Sequence, residues 1–143
     1  MADHPLFPVS VVTPEGPAYE GEAEMLIVPG AAGEIGVLAR HAPLIATLKA
    51  GTTRVHVGES SDDLHEFATG PGFFKVEQDR AIALVDDAVD VKAIDAERAR
   101  AQLEEARADL ERVEQGESDA DRWQVEQRIR HAENQLDAVG GLS

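Results

Sequence analysis

The chain has 143 residues, with 13 lysines and arginines against 28 aspartates and glutamates, and no cysteine. A net charge of −15 argues against attraction to bare nucleic acid or an anionic bilayer, and suits docking on basic protein surfaces. Without cysteine there are no disulfides, no thiolate catalysis and no cysteine-ligated zinc. No secretory apolar core follows the Met1-Ala2-Asp3 start, and no apolar run is long enough to span a bilayer, so a membrane location is expected only through a partner.

Leu6–Thr13 reads as a first strand bounded by Pro5 and Pro14, with Pro8 suggesting an edge or a bulge. Thr13–Gly21 reads as turns with a short strand, and Glu24–Val28 as a clear strand. The stretch Val28–Gly51 then reads as a strand end, a glycine-rich loop, a short apolar run, a His-Ala-Pro corner and a buried strand at Leu44–Lys49. Thr52–Val57 alternates like a half-buried strand, and Gly58–Asp63 is a polar turn. Leu64–Thr69 and Gly72–Glu77 read as a pair joined through Gly70-Pro71-Gly72, and Arg80–Val85 closes the series. Short strands at close intervals predict an all-β antiparallel sandwich or barrel over residues 1–89.

The period changes near Asp90, and residues 90–143 read as an antiparallel helical hairpin. Ala99, Leu103, Ala106, Leu110 and Val113 step by four and three, as do Val125, Ile129, Ala132, Leu136 and Val139. Gly116 is the C-cap candidate between them, Ser118 with Asp121 a capping-box candidate, and Gly140-Gly141 the end. Arg100–Glu104, Arg107–Glu111 and Glu126–Arg130 lie four apart and are expected to pair. The seams are rich in alanine and hold few large residues. The hairpin is therefore expected to be marginal alone and displaceable from the β domain.

Little in the sequence points to catalysis. Gly30-x-x-Gly33-x-x-Gly36 lacks the G-K-[ST] ending of a phosphate loop. His41 has no acidic or serine neighbour spaced to pair with it, and His56, His65 and His131 show no metal-ligand spacing. Asp62-Asp63 and Asp86-Asp87 read as solvated turns rather than acid–base pairs. Trp123, the only tryptophan, reads as a packing anchor one turn into the second helix.

The segment GEIGVLARHAPLIATLKAG resembles the signature of the epsilon subunit of the F-type ATP synthase. Gly30, Gly33, Glu34, Gly36, Val37, Leu38, His41, Ala42, Pro43, Leu44, Thr47, Leu48 and Gly51 match its pattern. Ala39 replaces a frequent proline, and Ile45-Ala46-Thr47 replaces a Leu-Thr pair. The resemblance implies a β-sandwich followed by two helices, the same plan that the periodicities give. It also implies a non-catalytic central-stalk subunit that couples gamma to the membrane c ring during ATP synthesis driven by proton transport. Gly33, Glu34, Gly36 and His41 would lie at the docking surface for gamma and the c ring. The C-terminal hairpin would inhibit ATP hydrolysis by extending to the alpha/beta head, with Arg122, Arg128 and Arg130 as its candidate contacts. The family resemblance implies no metal and no resident cofactor. It places the chain at the cytoplasmic face of a bacterial plasma membrane, held there only through the complex.

Ile94-Asp95-Ala96-Glu97-Arg98-Ala99 also matches the I/L-D-x-x-R-A motif by which some bacterial epsilon subunits bind ATP. By that resemblance Ile94, Asp95, Arg98 and Ala99 would touch a regulatory nucleotide. Arg98 would meet a phosphate, and Asp95 a base amino group or Arg98 itself. The ordinary reading of Asp95 is a carboxylate at a helix start. Further basic residues of the ATP-binding relatives fall here at Glu105, His131 and Gln135. An ATP-sensing module and a stand-alone adaptor are the alternatives to the stalk subunit.

Overall fold

The structure, a computed structural model, describes residues 5–58 and 60–140. The Met1-Ala2-Asp3 start, Glu59 of the predicted turn and Gly141 lie outside them. The chain divides into two compact units, one ending at Lys92 and the other beginning at Ala93.

The first unit is a ten-strand β-sandwich. Its strands are β1 (Phe7–Thr13), β2 (Gly16–Ala23), β3 (Met25–Gly30), β4 (Gly33–Leu38), β5 (Leu44–Leu48), β6 (Gly51–His56), β7 (Leu64–Thr69), β8 (Gly72–Glu77), β9 (Arg80–Val85) and β10 (Ala88–Asp90). The hydrogen-bonded order is β10-β7-β6-β3-β5-β8-β9-β1-β2, with β4 paired to β3 beside that path. The link between β3 and β5 is the single pair Gly30 and Leu48. At that corner the sheet passes from one layer (β10, β7, β6, β3, β4) to the other (β5, β8, β9, β1, β2). Alternate side chains point inward, as a half-buried strand requires. Phe7, Val9, Val11, Leu26, Val28, Val37, Leu48, Val55, Phe74 and Val76 fill the interior. Among the described residues Thr53 and Thr69 are the buried polar ones, and their hydroxyls bond each other at 2.9 Å. The Tyr19 and His65 rings meet with centroids 5.3 Å apart, bringing β2 to β7. Burial raises the Tyr19 phenol above its usual value, and its hydroxyl donates to the Glu22 carbonyl at 3.1 Å.

Several sequence expectations need correction. The glycine-rich segment is mostly a strand, not a loop. Gly33–Leu38 pairs with β3 throughout, and only Ala31 and Ala32 form the turn. Gly16–Ala23 is a full strand rather than turns with a short strand. Pro8 marks neither an edge nor a bulge. β1 lies between β2 and β9, its irregularity falls at Val11/Val12, and its parallel ladder with β9 starts at Val9, so the missing Pro8 N–H is not needed there. β7 and β8 do not pair with each other. β7 pairs with β6 and β10, and β8 with β5 and β9, so Gly70-Pro71-Gly72 crosses between layers. Two close approaches explain the glycines. A Cβ on Gly70 would sit 1.7 Å from an Asp86 carboxylate oxygen, and one on Gly72 1.9 Å from the Leu84 carbonyl oxygen. The short strand β10 was not expected, and it runs across the 89/90 boundary.

The second unit is an antiparallel pair of helices, α1 (Ala96–Glu114) and α2 (Arg122–Ala138). A 3-10 turn at Val91–Ala93 precedes them, so the helix starts later than the change of period suggests. The Asp95 carboxylate caps α1, accepting from the Glu97 and Arg98 N–H groups. Ala99, Leu103, Ala132 and Leu136 form the core of the seam, flanked by Ala96 and Ile129, while Val139 is 36% exposed at the open end. Gly116 closes α1 in the left-handed conformation (φ 75°), with Gly116 and Glu117 N–H groups bonded to the Val113 and Arg112 carbonyls. The cap of α2 is Asp121 itself, which accepts from the Trp123 N–H at 2.9 Å; Ser118 bonds Ala120 in the preceding turn and takes no part in a box. The expected i,i+4 ion pairs are also rearranged. Arg107 reaches across to Glu133 at 3.2 Å, and Glu126 is met by Arg122 at 3.2 Å rather than by Arg130.

Gly72→Ala is expected to destabilise the sandwich by about 1–3 kcal/mol, since backbone of β9 must move to admit the methyl group. Gly36→Ala, where a Cβ meets nothing within 4 Å, is expected to change little. Thermal melts of the two variants check this, at roughly 4–8 °C per kcal/mol for a domain of this size.

Candidate functional site

Two surface features of the sandwich stand out. The first is the tip of the β3–β4 hairpin. Gly30 and Gly33 face each other, and Ala31 and Ala32 make the turn. A Cβ on Gly30 would meet the Gly33 carbonyl oxygen at 2.6 Å and the Ile35 side chain at 2.8 Å, so glycine is required. Gly33 adopts φ 142°, a conformation that disfavours side chains. The tip is fixed to β5 by Ala31 N–H to the Thr47 carbonyl at 2.9 Å and Lys49 N–H to the Pro29 carbonyl at 2.9 Å. Between the tip, Ile35 and Ala46–Thr47 lies an open notch of about 480 Å³. Glu34 stands at its rim, one residue into β4 rather than at the tip. Its carboxylate is 3.3 Å from the Arg54 guanidinium.

The second feature is an apolar row on the outer face of β5, β8, β9 and β1. Register sets it: Thr47 faces Phe73, Phe73 faces Leu84, and Leu84 faces Val12. In the next row Ile45 faces Lys75 and Lys75 faces Ile82. Ile45 is 74% exposed, Phe73 61% and Leu84 48%. Their chain neighbours Phe74, Ala83 and Val85 point inward and are buried. An exposed patch of this kind marks an interaction surface. Thr47 belongs to both the row and the notch, so the two features are continuous.

A third group borders them. Arg40, Gln78 and Asp79 are the non-glycine residues with positive φ among the described residues, at 63°, 51° and 59°. They come together because the Arg40 N–H donates to the Asp79 carboxylate at 2.5 Å. That bond ties the corner after β4 to the β8–β9 turn. His41 follows, exposed, with Nδ1 2.7 Å from the Ala42 carbonyl. Strained residues of this kind persist where surrounding contacts over-determine them.

On the helices, Ile94 is half-buried, Asp95 is taken up by capping, Arg98 is exposed and Ala99 is buried in the seam. Arg122 meets Glu126 at 3.2 Å and Glu114 at 3.8 Å. Arg128 meets Asp109 at 2.9 Å, and Asp109 also holds Arg112. Among the described residues Arg130 bonds the Gln127 side-chain oxygen, at 2.8 and 3.0 Å. Trp123 is no packing anchor: it is 62% exposed, because the seam is built from positions 125, 129, 132 and 136 and position 123 falls outside that stripe. Among the described residues no three histidine, aspartate or glutamate side chains gather as a metal site needs.

The profile described as ATP synthase, Delta/Epsilon chain, beta-sandwich domain matches residues 6–91. The ATP synthase epsilon chain of Halalkalibacterium halodurans is 38% identical over 136 residues, covering 95% of this chain and 98% of that one. The chain belongs to the ATP synthase epsilon-chain family. The epsilon chain of Thermosynechococcus vestitus is 35% identical over 134 residues, covering 94% and 95% of the two. The same fold occurs in a chain of the Euglena gracilis mitochondrial ATP synthase OSCP/F1/c-ring assembly, with a TM-score of 0.70 at 23% identity, covering 96% of this chain and 84% of that one. A chain from the Tetrahymena thermophila mitochondrial ATP synthase central stalk and c ring aligns with a TM-score of 0.52 at 14% identity, over 64% and 72% of the two.

Within this epsilon-family fold the signature residues do not form one cluster by sequence order. Gly33, Glu34 and Gly36 lie on β4, and His41 lies at the separate Asp79-held corner. The apolar row was missed in the sequence, although a signal was present. Phe73-Phe74 and Leu84-Val85 are adjacent large apolar pairs, and in a strand one member of each must face outward. Arg54 and Asp79 carried no such signal, since only strand register brings them to the site.

Proposed function

We propose that this chain is the non-catalytic coupling subunit of the central stalk in a rotary ATP synthase. Its sandwich docks on the gamma subunit and the c ring, and its hairpin restrains ATP hydrolysis. The observation that carries this reading is the exposed apolar row through Phe73 and Leu84, continuous with the small-residue notch at the hairpin tip. An apolar surface ending in a polar, glycine-walled tip matches two different partners. The row suits an apolar side of gamma. The tip, with Glu34 at its rim, suits the polar loops of the c ring. The two fold relatives come from a mitochondrial OSCP/F1/c-ring assembly and from a mitochondrial central stalk with its c ring.

The membrane association follows from the partners. Among the described residues no helix is long and apolar enough to cross a bilayer. In this reading the complex holds the chain at the cytoplasmic face of a bacterial plasma membrane, where proton transport drives synthesis.

The hairpin supplies the regulatory half. In an extended state it reaches the alpha/beta head, and its cations meet an acidic segment there. Arg130, bound to Gln127, is available first. Arg122 and Arg128 have to exchange Glu126 and Asp109 for the new partners. Exposed pairs of this kind are worth about 0.2–1 kcal/mol each, so the exchange is nearly balanced. ATP as a regulatory ligand at Ile94, Asp95, Arg98 and Ala99 is the second reading. It is favoured by the exposed Arg98 guanidinium one turn from a helix start, where anions are stabilised.

Three measurements test these statements. Phe73→Glu is expected to weaken rebinding to stripped synthase by about tenfold or more, because a charge replaces an aromatic anchor; unchanged binding removes the apolar row from the interface. Truncation after Lys92 keeps all ten strands and is expected to raise ATP hydrolysis by the assembled complex. Unchanged hydrolysis counts against an inhibitory hairpin. Isothermal titration of the full chain with Mg-ATP decides the second reading, and no heat at millimolar nucleotide removes it.

A further inference from the structure

Glu34 is not an idle carboxylate waiting for a partner. Arg54 holds it through Nη1 at 3.3 Å and at the same time holds Glu66 through Nε at 3.3 Å. Register places the three together. Arg54 on β6 faces Glu66 on β7 and Ile27 on β3, and Ile27 faces Gly36 on β4. Gly36 presents no side chain there, and a Cβ at that position would have open space around it. All three side chains are more than a third exposed, at 37% for Arg54, 62% for Glu34 and 38% for Glu66.

We infer that Arg54 sets the specificity of the hairpin-tip docking surface by competing with the partner for Glu34. In the free chain Arg54 occupies Glu34. On docking, a cationic side chain of the c ring takes Glu34, and Arg54 remains on Glu66. This rests on the reading of the tip as a c-ring contact. The exchange strands no charge: the guanidinium keeps one carboxylate in both states, and its planar fork serves either acid. It also filters partners. On a sandwich this acidic, a bare carboxylate would attract any cation; a partner that must displace a built-in guanidinium needs correct geometry as well as charge. Glu66 matters for the same reason. Without it, displaced Arg54 would face the incoming cation unpaired.

The test is rebinding of the full chain to a detergent-solubilised gamma–c-ring assembly stripped of it, at low and high ionic strength. At low salt Arg54→Met is expected to tighten binding by about two- to fivefold, and Arg54→Gln likewise, since each frees Glu34. Glu66→Gln is expected to act in the opposite direction, because it leaves Arg54 with Glu34 alone. Glu34→Gln weakens binding, and all the differences shrink at high salt, where exposed charges are screened. If Glu34→Gln weakens binding while both Arg54 variants leave it unchanged or weaken it, the competition is refuted and the tip contact stands. Arg54 and Glu66 variants that shift affinity in the same direction refute it as well. If Glu34→Gln has no effect, the tip contact itself falls, and the competition with it.

Discussion

The corner at Gly30 is the constraint on which the rest of the sandwich depends. There β3 is bonded to β4 along its length and to β5 by one pair, so a single sheet becomes two layers. The Gly33 carbonyl and the Ile35 side chain stand so close that any side chain on Gly30 would collide with them. The turn, the notch beside it and the position of Glu34 are all consequences of that close approach. Buried above it, Leu48 and Val28 join the two layers into one core. The tip is therefore a rigid extension of the core rather than a free loop.

Inside and outside are divided by strand alternation, and the division explains why adjacent residues serve both a buried core and an exposed apolar row. Phe74 packs the interior while Phe73 faces solvent; Val85 packs while Leu84 faces solvent. A single-residue slip in β8 or β9 would exchange the two sets. The Gln78-Asp79 turn fixes that register, and through the Arg40 N–H it also fixes the corner bearing His41. The same residues thus hold the core in register and the surface in place.

Much of the fold was legible in the sequence, and the failures share a cause. Strands with clean alternation and both helical seams could be read because their periods are local. β4 could not be read as a strand, because its outward positions include Gly36 and its first residue is Gly33, so glycine hid the alternation. β2 was obscured in the same way by Gly16, Pro17 and Gly21. The crossing at Gly70-Pro71-Gly72 looks like a hairpin turn, since turn chemistry is local and strand partners are not. Glu34 and His41 could be singled out, but not Arg54 or Asp79, which reach them from strands far along the chain. Trp123 was misjudged because size suggests burial, whereas its phase on the helix decides exposure.

That misjudged residue has an optical consequence. The chain holds one tryptophan, and it stands exposed at the start of α2. Nearly all the ultraviolet fluorescence of the chain therefore originates at one point on the hairpin. A change in the colour of that emission reports on the surroundings of that one helical position.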